Sequence, residues 1–206
     1  MASLKVTTLT KRFGSRLVID KLSFEVNDAV VGVAGRNGSG KTTLMRCLAG
    51  LIMPSSGTLI WDFGGNIADR EMMRRNIGLA GPWLQLYREM TCTENLAFLA
   101  KLHRLQGADT KVSDTLDLVG LTTQAKTHYG SLSSGQQQRL KIASAILHQP
   151  AALLLDEPGS NLDDFGAKMI SEIISMWRAP GRLAVVASND ARELDLCDRS
   201  IQVSQS

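Results

Sequence analysis

Gly35-Arg36-Asn37-Gly38-Ser39-Gly40-Lys41-Thr42 decides how this chain folds. The octet satisfies G-x-x-x-x-G-K-[ST] at every fixed position. Apolar Ala29–Ala34 runs into it as a buried strand would, and Thr42–Leu51 behind it is rich in helix formers. Strand, glycine turn and helix in that order make a phosphate cradle. The glycines let backbone N–H groups from Gly35 to Thr43 turn inward without a Cβ in the way. The start of the helix adds its free N–H groups and positive dipole end. Lys41 supplies a point charge for β- and γ-phosphates, and the Thr42 hydroxyl is the expected Mg²⁺ ligand.

Further along, Ala152–Leu155 is a second uninterrupted apolar run, closed by Asp156-Glu157. A carboxylate at the end of a buried strand can hold a metal's water shell, and its neighbour can orient or deprotonate an attacking water. Leu4–Leu9, Leu17–Val26 and Gly57–Trp61 read as strands, with Asn76–Ala80 and Leu183–Ala187 as two more. Met90–Leu121 turns helical, and Gln136–Leu147 and Ala167–Trp177 read as further helices. Strands alternating with helices predict an α/β fold with a mostly parallel sheet, and a helical block inserted at about residues 90–150.

Bulk properties narrow the class. The chain has 206 residues, 44% hydrophobic and 21% charged, which suits one soluble domain. Its net charge of +3 is too small to argue for nucleic acid. Cys47, Cys92 and Cys197 lack metal-ligand or CxxC spacing and read as reduced thiols of a cytosolic protein. His103, His128 and His148 share no ligand spacing either. The start, Met-Ala-Ser-Leu-Lys, lacks a signal peptide's apolar run, and no stretch approaches the ~20 apolar residues of a membrane span. Any service to a membrane is therefore expected to go through a partner.

Leu132-Ser133-Ser134-Gly135-Gln136, followed by Gln137-Gln138-Arg139, resembles the signature motif of ATP-binding-cassette (ABC) ATPases. Ser160-Asn161-Leu162-Asp163 resembles that family's D-loop. The resemblance covers nearly the whole chain and keeps the family's order of motifs. It implies a P-loop NTPase with a RecA-like core, an antiparallel β lobe and a helical lobe at about 82–150, all in one domain, 1–206. It also implies head-to-tail pairing of two such domains around two ATP. The signature then serves the γ-phosphate held by the opposite protomer: Ser133 and Ser134 bring hydroxyls, Gly135 allows close backbone approach, and Gln136 opens a helix. By the same resemblance Phe13 stacks on adenine, Asp163 belongs to the nucleotide site, Asp156 holds Mg²⁺ and Glu157 is the general base.

Two positions depart from the family. Aligning Thr91-Cys92-Thr93-Glu94-Asn95-Leu96 places Pro82, then Trp83, where a glutamine normally touches Mg²⁺ and the attacking water; Gln85 is the nearest substitute. Asn189, in Ser188-Asn189-Asp190, replaces the switch histidine: its amide can hydrogen-bond a γ-phosphate oxygen but cannot carry an imidazolium's extra proton. Intact nucleotide binding with slow or partner-dependent hydrolysis is the expectation. Trp83, Leu84, Leu86, Tyr87 and Met90 lie where the family docks a permease's coupling helix. Lys11, Arg12, Arg16, Arg74 and Arg75 read as solvated charges.

The resemblance therefore predicts the ATPase subunit of an ABC transporter, held on the inner face of the cell membrane by a separate integral permease. Within the family, its compact size, Ser134 in place of the signature's usual first glycine, and the missing glutamine resemble the haem-exporter ATPase of cytochrome c maturation. A soluble ABC ATPase of the iron–sulfur assembly type, or an ATP-gated scaffold with little hydrolysis, is the alternative.

Overall fold

The computed structural model describes residues 1–203, so the last three positions of the expected 1–206 domain lie outside the described residues. In chain order the strands are β1 (Ala2–Phe13), β2 (Arg16–Asn27), β3 (Val30–Ala34), β4 (Ser56–Phe63), β5 (Ile77–Ala80), β6 (Ala152–Asp156), β7 (Leu183–Ser188) and β8 (Arg199–Gln202). The helices are α1 (Lys41–Leu48), α2 (Arg70–Asn76), α3 (Cys92–Leu102), α4 (Ala108–Leu118), α5 (Ser134–Ile146), α6 (Asp164–Met176) and α7 (Ala191–Leu194). They build a three-stranded antiparallel sheet, β2-β1-β4, and a five-stranded parallel sheet, β5-β6-β7-β3-β8.

Every residue of β3, β6 and β7 is buried, which is why these strands read as unbroken apolar runs. Leu153 and Leu155 face a core shared with α3 to α6, while Ala152 and Leu154 face one shared with the antiparallel sheet and α1. Trp61, wholly buried on β4, fastens the second core: its indole N–H donates to the Leu48 carbonyl at the end of α1, 2.8 Å away. The parallel register pairs Ala34 with Ser188 and Asp156 with Ala187, so β3, β7 and β6 stop at one level. The next residues are Gly35, Asn189 and Glu157. In open parallel sheets this edge is where ligands bind.

Local chemistry shifts several expected boundaries. The helical pattern across 90–121 breaks into α3 and α4, because Arg104 and Gly107 take positive φ of 53° and 61° between them. Helix α5 begins at Ser134, two residues before Gln136, since Ser133 and Gln136 form a reciprocal capping box. Helix α6 begins at Asp164 rather than Ala167, because Asp163 caps it. Helix α2 and strand β8 lie outside the elements that the sequence predicts. Helix α2 buries none of its residues, and β8 is polar and held by its pairing to β3. No helix among the described residues is long and apolar enough to cross a membrane.

Candidate functional site

A cleft of about 840 Å³ opens at the shared strand ends. Arg36, Asn37, Gly38, Gly40, Lys41, Thr42 and Thr43 line its floor, with Glu157, Ser160, Asn161 and Asn189 on one side and Pro82 nearby. Val18, which packs against Gly40, and the Phe13–Arg16 pair complete the lining. Phe13 and Arg16 are cross-strand partners at the mouth of the β1–β2 hairpin, whose turn uses Gly14 at φ 57°. At 52% exposure Phe13 is no core residue; the Lys11 ammonium lies over its ring, 4.9 Å from the centroid. Arg16, read from sequence as a solvated charge, turns out to face the cleft because this pairing sets it beside Phe13.

The glycine loop is shaped by contact as well as by dihedrals. Gly38 and Gly40 take φ of 81° and 107°, and a Cβ on Gly40 would lie 2.9 Å from the Val18 carbonyl oxygen of β2. Gly35 and Ser39 sit behind the lining residues. The Gly35 carbonyl accepts a 2.7 Å hydrogen bond from Lys41 Nζ, and the Ser39 hydroxyl is buried without a partner.

Lys41 is 5% exposed, and its ammonium also pairs with Glu157 Oε1 at 3.0 Å. Glu157 is held in the left-handed region, φ 47°, with its N–H donating to the Ala187 carbonyl at 2.7 Å. A bulky residue is costly there, by about 1–3 kcal/mol. The strain turns the carboxylate from the strand end into the cleft.

Asp156 is fully buried. Burial pushes its carboxyl above the ordinary carboxylate range, opposed first by hydrogen bonding from Thr42 and Trp83. Trp83 Nε1 donates to Asp156 Oδ2 at 3.0 Å. Oδ1 has no partner of normal hydrogen-bond geometry. A buried carboxylate oxygen left open beside a threonine hydroxyl is a hard oxygen donor set, and it fits a divalent cation.

Asn189 Nδ2 donates to Asn37 Oδ1 at 2.9 Å, so the residue in the switch position already touches the glycine loop. Ser133, Ser134, Gly135, Gln136 and Asp163 do not line the cleft. Ser133 and Ser134 are exposed at the start of α5, and the Asp163 carboxylate accepts from Gly166 N at 2.9 Å. Gly135 backs onto the cleft-lining loop: a Cβ there would lie 2.8 Å from the Asn161 carbonyl oxygen. Gln138 Nε2 reaches the Pro158 carbonyl at 3.2 Å, a second tie between α5 and the turn after β6.

Two expectations about the 82–90 segment need correction. Trp83 does not join an outward apolar face; its indole turns in to Asp156. Gln85 does not replace the missing glutamine, because it is exposed and lines a different groove. That groove, about 360 Å³, is walled by Leu84, Leu86, Tyr87, Phe98, Leu99 and Leu102, with His103 and His148 at its base. The two imidazoles stack with ring centroids 4.0 Å apart. Burial lowers the His148 pKa to about 4 and also lowers that of His103. Their positions 45 apart gave no sign of the pairing.

A protein-family profile described as ABC transporter matches residues 19–160. The bacitracin transport ATP-binding protein BcrA of Bacillus licheniformis is 39% identical over 83% of this chain and 56% of its own length. The sulfate/thiosulfate import ATP-binding protein CysA 1 of Agrobacterium fabrum is 35% identical over 98% of this chain and 60% of its own. The chain thus spans less than two thirds of either relative. Among solved structures, the dimeric post-hydrolysis state of the ATP-binding cassette MJ0796 bound to ADP and Pi superposes with a TM-score of 0.86. It is 23% identical, over 98% of this chain and 94% of that one. The profile match runs through the phosphate loop, the signature and the acidic strand end, the segments that here form the strand-end cleft and set Glu157 against Lys41. The chain belongs to the ABC transporter family, as an ATP-binding domain.

Proposed function

We propose that the chain binds and hydrolyses ATP, dimerises head to tail around two nucleotides, and drives a separate membrane permease. One observation carries the assembly. The phosphate-loop cleft and the exposed signature hydroxyls lie on different parts of the chain, so neither completes the other within one copy. A second copy brings Ser133, Ser134 and the N-terminal N–H groups of α5 to the open side of the cleft.

Within the cleft, Phe13 stacks on adenine and Arg16 offers its guanidinium at the same end. Lys41 exchanges Glu157 for β- and γ-phosphate oxygens. The freed Glu157 carboxylate accepts a proton from the attacking water, and Asn189 leaves Asn37 to donate its amide N–H to the γ-phosphate. Thr42 and Asp156 would hold Mg²⁺, which neutralises the charge shared by the β- and γ-phosphates. Pro82 contributes no polar side chain and Asn189 no imidazolium, which supports slow or partner-dependent turnover.

The groove beneath Tyr87 and Leu102 suits an amphipathic helix of the permease. These two are 56% and 63% exposed, and an apolar wall with a polar rim is how helix-in-groove contacts are built. This would hold the domain on the cytoplasmic face. Cargo selection falls to the permease, since the cleft is accounted for by nucleotide.

Complementation tests the head-to-tail reading. Lys41→Ala removes phosphate binding and Ser134→Arg blocks the signature. Each protein alone should release no phosphate with the permease present. Mixed in equal amounts they should recover roughly one quarter of wild-type turnover, because half the dimers carry one intact site of two. Activity in Ser134→Arg alone, or none in the mixture, would sink the proposal.

A further inference from the structure

Pro82 and Trp83 stand where the family's glutamine is expected, and from this segment it is Trp83 that reaches the Asp156 carboxylate. Its indole N–H holds Asp156 Oδ2 at 3.0 Å while Oδ1 stays open. The approach is built in. A Cβ on Gly81 would lie 2.9 Å from Trp83 Nε1 and 3.2 Å from Asp156 Cβ, so a side chain at residue 81 would displace the indole. The other face of the ring is capped by Arg46 of α1, whose guanidinium carbon sits 4.4 Å from the ring centroid. The preceding residue is pinned as well, since buried Lys141 of α5 donates to the Pro82 carbonyl at 3.1 Å. The tryptophan is therefore fixed by the phosphate-loop helix on one side and by the signature helix on the other.

We infer that Trp83 is a positioning residue for the divalent cation: it fixes the Asp156 carboxylate so that Oδ1 is presented beside Thr42. The inference rests on the nucleotide-binding reading above. A carboxylate ligand turns about its Cβ–Cγ bond unless its second oxygen is held, and a donor on that oxygen sets its orientation. Removing such an outer partner commonly costs a metal site 10- to 100-fold in affinity. Trp83 can do this without touching the cation, which distinguishes it from a glutamine that ligates directly. It also makes the geometry of Asp156 depend on two helices that a head-to-tail dimer would bring into play together.

Trp83→Phe tests it, since phenylalanine keeps an aromatic face for Arg46 and loses the N–H. Two affinities are measured on the full chain: a non-hydrolysable ATP analogue in EDTA, and Mn²⁺ by electron paramagnetic resonance with that analogue saturating. The expected result is at least a ten-fold loss of Mn²⁺ affinity with analogue affinity in EDTA retained. Unchanged or tighter Mn²⁺ binding would overturn the inference. So would a parallel loss of both affinities, because Trp83 would then serve the whole cleft rather than the carboxylate. Wild-type protein that binds no analogue at all would instead remove the functional reading beneath it.

Discussion

Replacing Glu157 by glutamine should tighten ATP binding while ending hydrolysis. Glu157 Oε1 pairs with the Lys41 ammonium at 3.0 Å, with the two side chains 25% and 6% exposed. At an effective dielectric constant near 20, unit charges at that distance attract by about 5 kcal/mol, much of it offset by desolvation of the lysine. What remains is a charge-assisted hydrogen bond worth about 1.5–3 kcal/mol. ATP must exchange that bond for its own phosphates. A neutral amide keeps the shape but roughly half the interaction, which leaves about 0.8–1.5 kcal/mol for the nucleotide and tightens binding about 4- to 12-fold. Calorimetric titration of Glu157→Gln in EDTA, at protein concentrations too low for dimers, isolates this effect. Adenosine, which has no phosphates for Lys41, serves as the control and should bind both proteins alike. Unchanged or weaker ATP affinity in the variant would refute the competition. Phosphate release equal to wild type would refute the role of Glu157 as base.

Asp156→Asn should stabilise the cation-free protein at neutral pH. Burial raises the Asp156 pKa in the folded state, so its contribution to stability is greatest when it is protonated. That contribution is lost as pH rises from the unfolded value, about 3.9, through the raised folded value. Thermal melts in EDTA from pH 4 to 8 should show wild type losing ground to the variant with rising pH; parallel curves would contradict the assignment. Trp61→Phe should cost about 1–3 kcal/mol in urea unfolding, since it strands the buried Leu48 carbonyl at the end of α1. A loss below about 0.5 kcal/mol would mean that water or a rotated neighbour replaces the indole.

The parts legible in the sequence are those whose physics is local. Val30–Ala34, Ala152–Leu155 and Leu183–Ala187 announce themselves because strands buried on both faces cannot carry polar residues. Gly35–Thr42 is legible because backbone contact with phosphate demands glycine at fixed spacing. Helix starts were missed by two or three residues where Ser133 and Asp163 act as caps, a signal present in the sequence but weaker than the apolar pattern. Helix α2 and strand β8 are illegible for a plainer reason: each sets a single partly buried apolar residue, Met73 or Ile201, on the core, too little for a periodicity. The contacts of Trp83 with Asp156 and of His103 with His148 join distant segments, and no spacing rule reaches across such distances. Arg16 shows the same limit at short range. Its place in the cleft depends on the hairpin register opposite Phe13 rather than on its own neighbours in the chain.

Gly40 has a consequence beyond the shape of its own loop. Because it has no side chain, β2 presses against the phosphate loop through the Val18 carbonyl, and that strand begins two residues earlier at the Phe13–Arg16 rim. One strand thus ties the Phe13–Arg16 rim to the phosphate loop. Any side chain at position 40 would press β2 away from the loop, and the displacement would pass along the strand to that rim.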